Sequence, residues 1–399
     1  MMREMPHAAS VPDHHVEHEH RVTVLELFFD LVFVFAITQV TGFLASDLTL
    51  AGMGRGAMMI AALWWAWVAY SWLTNTLDAE EAAPRVTVLA AMGAMLIVTL
   101  AVPTAFSGDA VLFAASYLVV RVLHVLLYYL ATRHDEQLRR GVLRLSPVLL
   151  VGSGLLLVAS FAGGATRMVL WGVALCIDYS GPLVAGPTGW RVHVGHFVER
   201  HGLIIIIALG EAIVSIGVGA AGLPLDPMML AAALLAVVIA GALWWAYFDL
   251  VALEAEVRLA RAGGVEQVAL ARDCFSYLHL PMVAGVVFLA LGVKKSIAHA
   301  DHALDTVPAL ALYGGVALYF AGHVAFRLRS LGSLSRPRLL AVLVLAGGVA
   351  AGVRLPALAS LALVAALCTA LVVWETVVHR EWRERLRRER LAHARPEST

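Results

Sequence analysis

Long apolar runs constrain this chain more than any other feature of it. A helix needs about 20 mostly apolar residues to cross the hydrocarbon core of a bilayer. Such runs occur near 24–46, 56–76, 85–106, 110–131, 144–163, 166–186, 198–220, 228–252, 273–293, 306–327, 337–354 and 356–379. They are too long for the strands of a membrane barrel. Helices are the expected solution, because lipid offers no hydrogen-bond partner to an open backbone. Most connections are short and carry Gly, Pro or Asp, as in Ser107-Gly108-Asp109 and Leu223-Pro224-Leu225-Asp226-Pro227. The segment 253–272 reads as a short amphipathic helix, and only Arg354 and Pro356 mark the boundary between the last two runs. Composition agrees: 60% of residues are hydrophobic and 15% charged, where soluble domains are nearer a quarter charged. Much of that apolar surface must face lipid. The expected fold is an all-α integral membrane protein of about twelve transmembrane helices.

Arginine and lysine set the expected orientation, because they concentrate in cytoplasmic loops. Of the 29 basic residues, 23 fall in the two termini and the even-numbered loops, 5 in the odd-numbered loops, and Arg121 inside a span. Both termini are therefore expected in the cytoplasm. The tail after 380 is rich in arginine and fits the surface of anionic lipid. Residues 1–22 form a polar tail without the basic and apolar regions of a signal peptide. Their His14, His15, His18 and His20 are candidate metal ligands, and a solvated tail is the competing reading. Cys176, Cys274 and Cys368 lie far apart in or beside apolar runs, which predicts small buried side chains rather than disulfides or a thiolate site.

The chain also repeats itself. Ala62-Leu63-Trp64-Trp65-Ala66-Trp67 in the second run returns as Ala242-Leu243-Trp244-Trp245-Ala246-Tyr247 in the eighth. Glu26 opens the first run as Glu199 opens the seventh; Tyr117 precedes Arg121 by four as Tyr319 precedes His323. Each pair is six runs apart, and six is even. The expectation is two six-helix halves, 23–190 and 191–380, in parallel repeat about an axis along the membrane normal, followed by a basic tail at 381–399.

Ionisable groups inside spans are expensive and mark functional candidates. Glu26 and Asp30 share a face of the first helix, with Thr38 and Gln39 further along. Two such carboxylates call for a cation, a proton or a buried arginine, and Arg121 is available. The fourth run lines up Tyr117, Arg121, His124 and Tyr128 on one face. Asp178 lies deep in the sixth run; His196, Glu199, Arg200 and His201 crowd the start of the seventh, and Glu211 follows near mid-membrane. Asp249, His279, His323 and Glu375 complete the set, with Asp249 and Glu375 close enough to helix ends to be interface charges. Trp64, Trp65, Trp67 and Trp72 read as packing and interfacial anchors.

No Walker loop, dinucleotide fingerprint, HExxH or GxSxG motif occurs, and no lysine lies deep in a run. The expected class is thus a carrier, a channel or a membrane-embedded sensor rather than an enzyme. No cofactor and no nucleic-acid partner are expected. The expected partners are the lipid bilayer and an unidentified small solute or ion, with a homo-oligomer left open.

The run VLELFFDLVFVFAITQ from Val24 to Gln39 closely resembles the opening signature of the bacterial low temperature requirement protein A family. His196-Phe-Val-Glu-Arg-His-Gly202, followed by Leu209-Gly210-Glu211, resembles its second signature. Arg121 and Asp178 also fit the family's pattern, and the likeness covers essentially the whole chain. It implies a multi-pass membrane protein of a family named for a growth defect in the cold. His201 departs from the pattern, where a less polar residue is expected.

Two functions remain open. One is a proton- or ion-coupled secondary transporter whose site draws on Glu26, Asp30, Gln39, Arg121, His124, Asp178, His196, Glu199, Arg200 and Glu211. The other is a non-transporting sensor or assembly factor whose buried charges are structural ion pairs. The acidic link Leu77-Asp78-Ala79-Glu80-Glu81 and the short central loop speak against a major-facilitator architecture.

Overall fold

Local chemistry starts the first helix at a defined place. Glu26 N–H donates to the Thr23 hydroxyl (3.3 Å) and Thr23 N–H donates back to the Glu26 carboxylate (2.9 Å). That reciprocal capping box satisfies two otherwise orphaned donors and launches α1 (Val24–Ser46). The computed structural model describes residues 22–76 and 82–393. The histidine tract at 14–20 and the acidic link at 77–81 lie outside the described residues. After α1 come α2 (Leu50–Thr74), α3 (Ala82–Ala101), α4 (Ala110–Ala131), α5 (Glu136–Ser160), α6 (Gly164–Ala185) and α7 (Val194–Ala220). Then follow α8 (Pro227–Arg261), α9 (Gly264–Ala298) and α10 (Thr306–Leu331). The described chain closes with α11 (Arg336–Gly352), α12 (Ala357–Val378) and α13 (Arg380–His393). Asp226 caps α8 through Met229 N–H (2.8 Å), with Pro227 in the first turn where its missing N–H costs nothing.

Among the described residues, eleven helices are long and apolar enough to cross a membrane. The run 337–354 is the difference from twelve: it forms the 17-residue α11, about 25 Å at the usual helical rise, short of a 30 Å core. The soft boundary beside it is pinned by the loop after α9. Ala357 N–H donates to His302 O (2.8 Å), Leu358 N–H to Ala300 O (2.9 Å) and Leu304 N–H to Gly352 O (3.2 Å). The segment 253–272 is also not a free amphipathic helix. Helix α8 runs on to Arg261 and α9 begins at Gly264.

The bundle is apolar outside, and its largely apolar interior encloses buried charges. Arg121, Arg200 and Arg338 rank among the largest wholly buried side chains, while Leu31, Leu234, Leu340 and Val377 are each more than half exposed. Water would favour the reverse, so this distribution fits a lipid surround. Cys274 and Cys368 are buried as expected, but Cys176 faces outwards on α6. Helices α9 and α10 approach closely through glycine. A Cβ on Gly285 would stand 2.5 Å from Gly315 O, and one on Gly292 would stand 2.5 Å from Leu312 N; such small-residue contacts hold membrane helices together by close packing. Both helices contain a widened π-helical turn, at Ala271–Tyr277 and Leu310–Gly314, and α8 has one at Tyr247–Val251.

Candidate functional site

Polar clusters lie inside the bundle, three of them centred in its first seven helices, and each of these three forms because a helix face carries polar residues one turn apart. In the first, α1 presents Glu26 and Asp30 to α7, which presents His196 and Arg200. Arg200 bridges both acids, reaching Glu26 Oε1 at 2.5 Å and Asp30 Oδ1 at 3.1 Å. His196 Nε2 lies 3.0 Å from both Glu26 oxygens. Asn75 clamps the His193 backbone through both ends of its amide and donates to His196 Nδ1 at 3.0 Å. With Nδ1 accepting, the imidazole proton sits on Nε2, facing Glu26. Trp67 Nε1–H donates to Asp30 Oδ1 at 2.9 Å, and Arg200 stacks over the Trp67 ring. Two acids share one arginine here, and Asp30 Oδ2 has no hydrogen bond among the described residues. Glu199 points outward at the rim, with Val22 N–H 3.4 Å from its Oε2.

The second cluster corrects an expectation. Arg121 pairs with Asp178 of α6, not with Asp30. The Tyr117 hydroxyl lies 3.3 Å from Asp178 Oδ2 and donates to Ala62 O at 3.1 Å; Arg121 also reaches Trp65 O at 3.4 Å. Pro182 explains a further contact. It lacks the N–H that would bond Asp178 O one turn earlier, and Trp65 Nε1–H fills that place at 3.1 Å. His124, one turn along from Arg121, bonds Ala69 O through Nε2 at 3.0 Å.

The third cluster centres on Glu211, midway along α7. Thr38 donates to Oε2 at 2.5 Å and Ser215 to Oε1 at 3.3 Å, and Lys294 of α9 acts on it electrostatically. Glu211 is buried and makes no salt bridge among the described residues. Gln39 is half-buried on the same stretch of α1. Near both this cluster and the first lies a small apolar cavity, lined among others by Phe33, Ile37, Trp67, Ile204 and Val287. Ile204 stands one turn beyond Arg200, and Ile37 adjoins Thr38.

Several participants were not legible as such. Asn75 and Lys294 carry no motif signal, and Trp67 looked like packing. Arg338 opens α11 and holds Glu375 of α12 bidentately, at 2.7 and 2.8 Å, while touching His323 Nδ1 at 2.7 Å and Ala246 O at 3.2 Å. Glu375 is therefore a buried ion-pair partner rather than an interface charge; Asp249 pairs with Arg383 of α13 nearer the surface. His201, the residue that departs from the family pattern, is wholly buried. It bonds its own helix at Phe197 O (2.8 Å) and sits edge-on to Trp67 and beside His279. The described residues contain no group of three or more His, Cys, Asp or Glu that could hold a metal ion.

Comparison with known proteins agrees with the two signatures. The family described as bacterial low temperature requirement A protein (LtrA) matches residues 21–373. An uncharacterised protein of Rhizobium meliloti (strain 1021), RA0937, is 34% identical over 316 residues, covering 74% of this chain and 75% of that protein. No solved structure matches the chain. The match spans every described helix from α1 almost to the end of α12 and includes all three clusters, so this multi-pass membrane protein belongs to the bacterial low temperature requirement A family.

Proposed function

We propose that the chain is a proton- or cation-coupled secondary transporter of a small solute, and that Glu211 carries the coupling ion. The observation behind this reading is that Glu211 is a buried carboxylate cradled by hydroxyls rather than by an arginine. A carboxylate held by a guanidinium is fixed in its charged form. One held by Thr38 and Ser215 can exchange a proton or a small hard cation, since oxygen atoms suit both.

The transporter reading carries with it a twelve-span topology in two parallel halves, with α11 as a short span and both termini in the cytoplasm. Matching contacts in the two halves support it. Tyr117 donates to Ala62 O in one, and Tyr319 to Leu243 O (2.8 Å) in the other. A buried arginine also reaches a carbonyl of each tryptophan motif, from different helices of the two halves: Arg121 of α4 to Trp65 O and Arg338 of α11 to Ala246 O. Each arginine then pairs with an acid on the last helix of its half, Asp178 or Glu375. Helix α1 packs on α2 and α3 as α7 packs on α8 and α9.

The test is charge movement in proteoliposomes adsorbed on a solid-supported membrane and given pH and sodium jumps. A transient current in the wild type that vanishes in folded Glu211→Gln is the expected result. A current unchanged by Glu211→Gln would overturn the assignment. A non-transporting sensor or assembly factor has one observation in its favour: Glu26, Asp30, Asp178 and Glu375 all face arginine, as structural ion pairs do.

A further inference from the structure

A second cavity, separate from Glu211, encloses about 580 Å³ including its mouth, between α2, α4, α5, α6 and α9. Trp65, Trp72, Tyr128 and Trp190 supply aromatic walls, and the link after α6 closes one side through Gly186, whose positive φ of 71° suits glycine alone.

Arg121 and His124, three positions apart on one face of α4 and 0% and 2% exposed, line this cavity together with the polar residues Tyr128, Arg272 and Ser276. Arg121 and His124 each have one buried atom without a hydrogen bond among the described residues, Nε and Nδ1 respectively. Their other atoms are committed, to Asp178 and Trp65 O in one case and to Ala69 O in the other. Because His124 Nε2–H donates to that carbonyl, its Nδ1 carries a lone pair. The cavity therefore offers one N–H donor and one nitrogen acceptor, side by side among indole rings, with the Tyr128 hydroxyl, also without a hydrogen bond among the described residues, as a third open group. It offers no free charge, since Arg121 is already neutralised by Asp178 and Arg272 by Asp273. Buried groups left open in this way are destabilising unless a ligand or water fills them.

We propose that this cavity binds a small neutral aromatic molecule bearing an amide-type edge, whose carbonyl accepts from Arg121 Nε–H and whose N–H donates to His124 Nδ1. The ring stacks among Trp65, Trp72 and Trp190, where offset and edge-on contacts are favourable. A carboxylate of the same shape is excluded, because it has no donor for His124 and brings a charge the walls cannot hydrate. This binding does not depend on Glu211 or on ion movement.

Isothermal titration of the full chain in lipid nanodiscs with benzamide, benzoate and cyclohexanecarboxamide tests the proposal. Benzamide should bind at least about tenfold more tightly than either analogue, as expected of a site built around matched hydrogen bonds. His124→Leu and the cavity-filling Leu145→Phe should each weaken it by about tenfold or more. Photolabelling of the wild type with 4-azidobenzamide removes any dependence on how the variants fold: label should fall on α2, α4 or the 186–193 link. Absence of saturable benzamide binding, equal affinity for benzoate, or label confined to other segments would overturn the proposal. Retention of a wild-type pH-jump current alongside any of these would leave the role of Glu211 standing.

Discussion

Asp30 of α1 and Glu211 of α7 are both buried acids where those two helices meet, yet they are held in opposite ways. Asp30 is locked by a guanidinium shared with Glu26 and by the Trp67 indole. Glu211 touches two hydroxyl groups, with Lys294 acting from α9. A buried charge survives in a low-dielectric interior only when paired and hydrogen-bonded. Arginine meets that requirement permanently, whereas hydroxyls meet it for a proton or a cation that can come and go. The comparison separates an acid that fixes the bundle from one able to exchange its ion. It also explains why charge density on a helix does not by itself identify the working residue.

Removing an arginine should have the largest effect. Arg200→Gln leaves Glu26 and Asp30 buried together and should cost about 3–5 kcal/mol of stability; thermal unfolding in nanodiscs measures this, and a loss below about 1 kcal/mol would erase the contrast. The pair Arg121–Asp178 gives a sharper version. Arg121→Gln and Asp178→Asn should each destabilise strongly, while the double substitution should recover about 0.5–3 kcal/mol relative to their sum. Additive losses would mean that the ion pair is not the unit of stability. Trp67→Phe removes one hydrogen bond to the Asp30 carboxylate and should cost about 1.5–3 kcal/mol. Glu211→Gln should change stability least, by about 1 kcal/mol or less, because its amide oxygen can still accept from Thr38 while its NH2 donates to the Ser215 hydroxyl. A large loss there would place Glu211 with the structural acids.

Helix positions were legible in the sequence because a bilayer imposes a length on every apolar run, and predicted spans such as 110–131 coincide with α4. The two family signatures likewise contain Glu26, Asp30, His196, Arg200 and Glu211, and the structure brings the first four together. Partner choice was not legible. Spacing along α4 put Arg121 on an inward face but could not say whether Asp30 or Asp178 would meet it, since that depends on how α1 and α6 pack around α2. Pro182 held the missing clue: a helical proline frees a carbonyl that a neighbour must satisfy, and here it frees that of Asp178. Arg338 escaped attention because it opens a helix, a place where arginine is ordinary. Only packing against α8 and α12 makes it buried.

Infrared difference spectroscopy of the protein in liposomes tests the central claim most directly, because it reads carboxyl protonation without needing the transported solute. As pH is lowered, a carbonyl-stretch band of a protonated carboxylic acid should appear in the wild type and in Trp67→Phe, and be missing in Glu211→Gln. A band that persists unchanged in Glu211→Gln, or no titrating carboxyl band at all, would contradict the account.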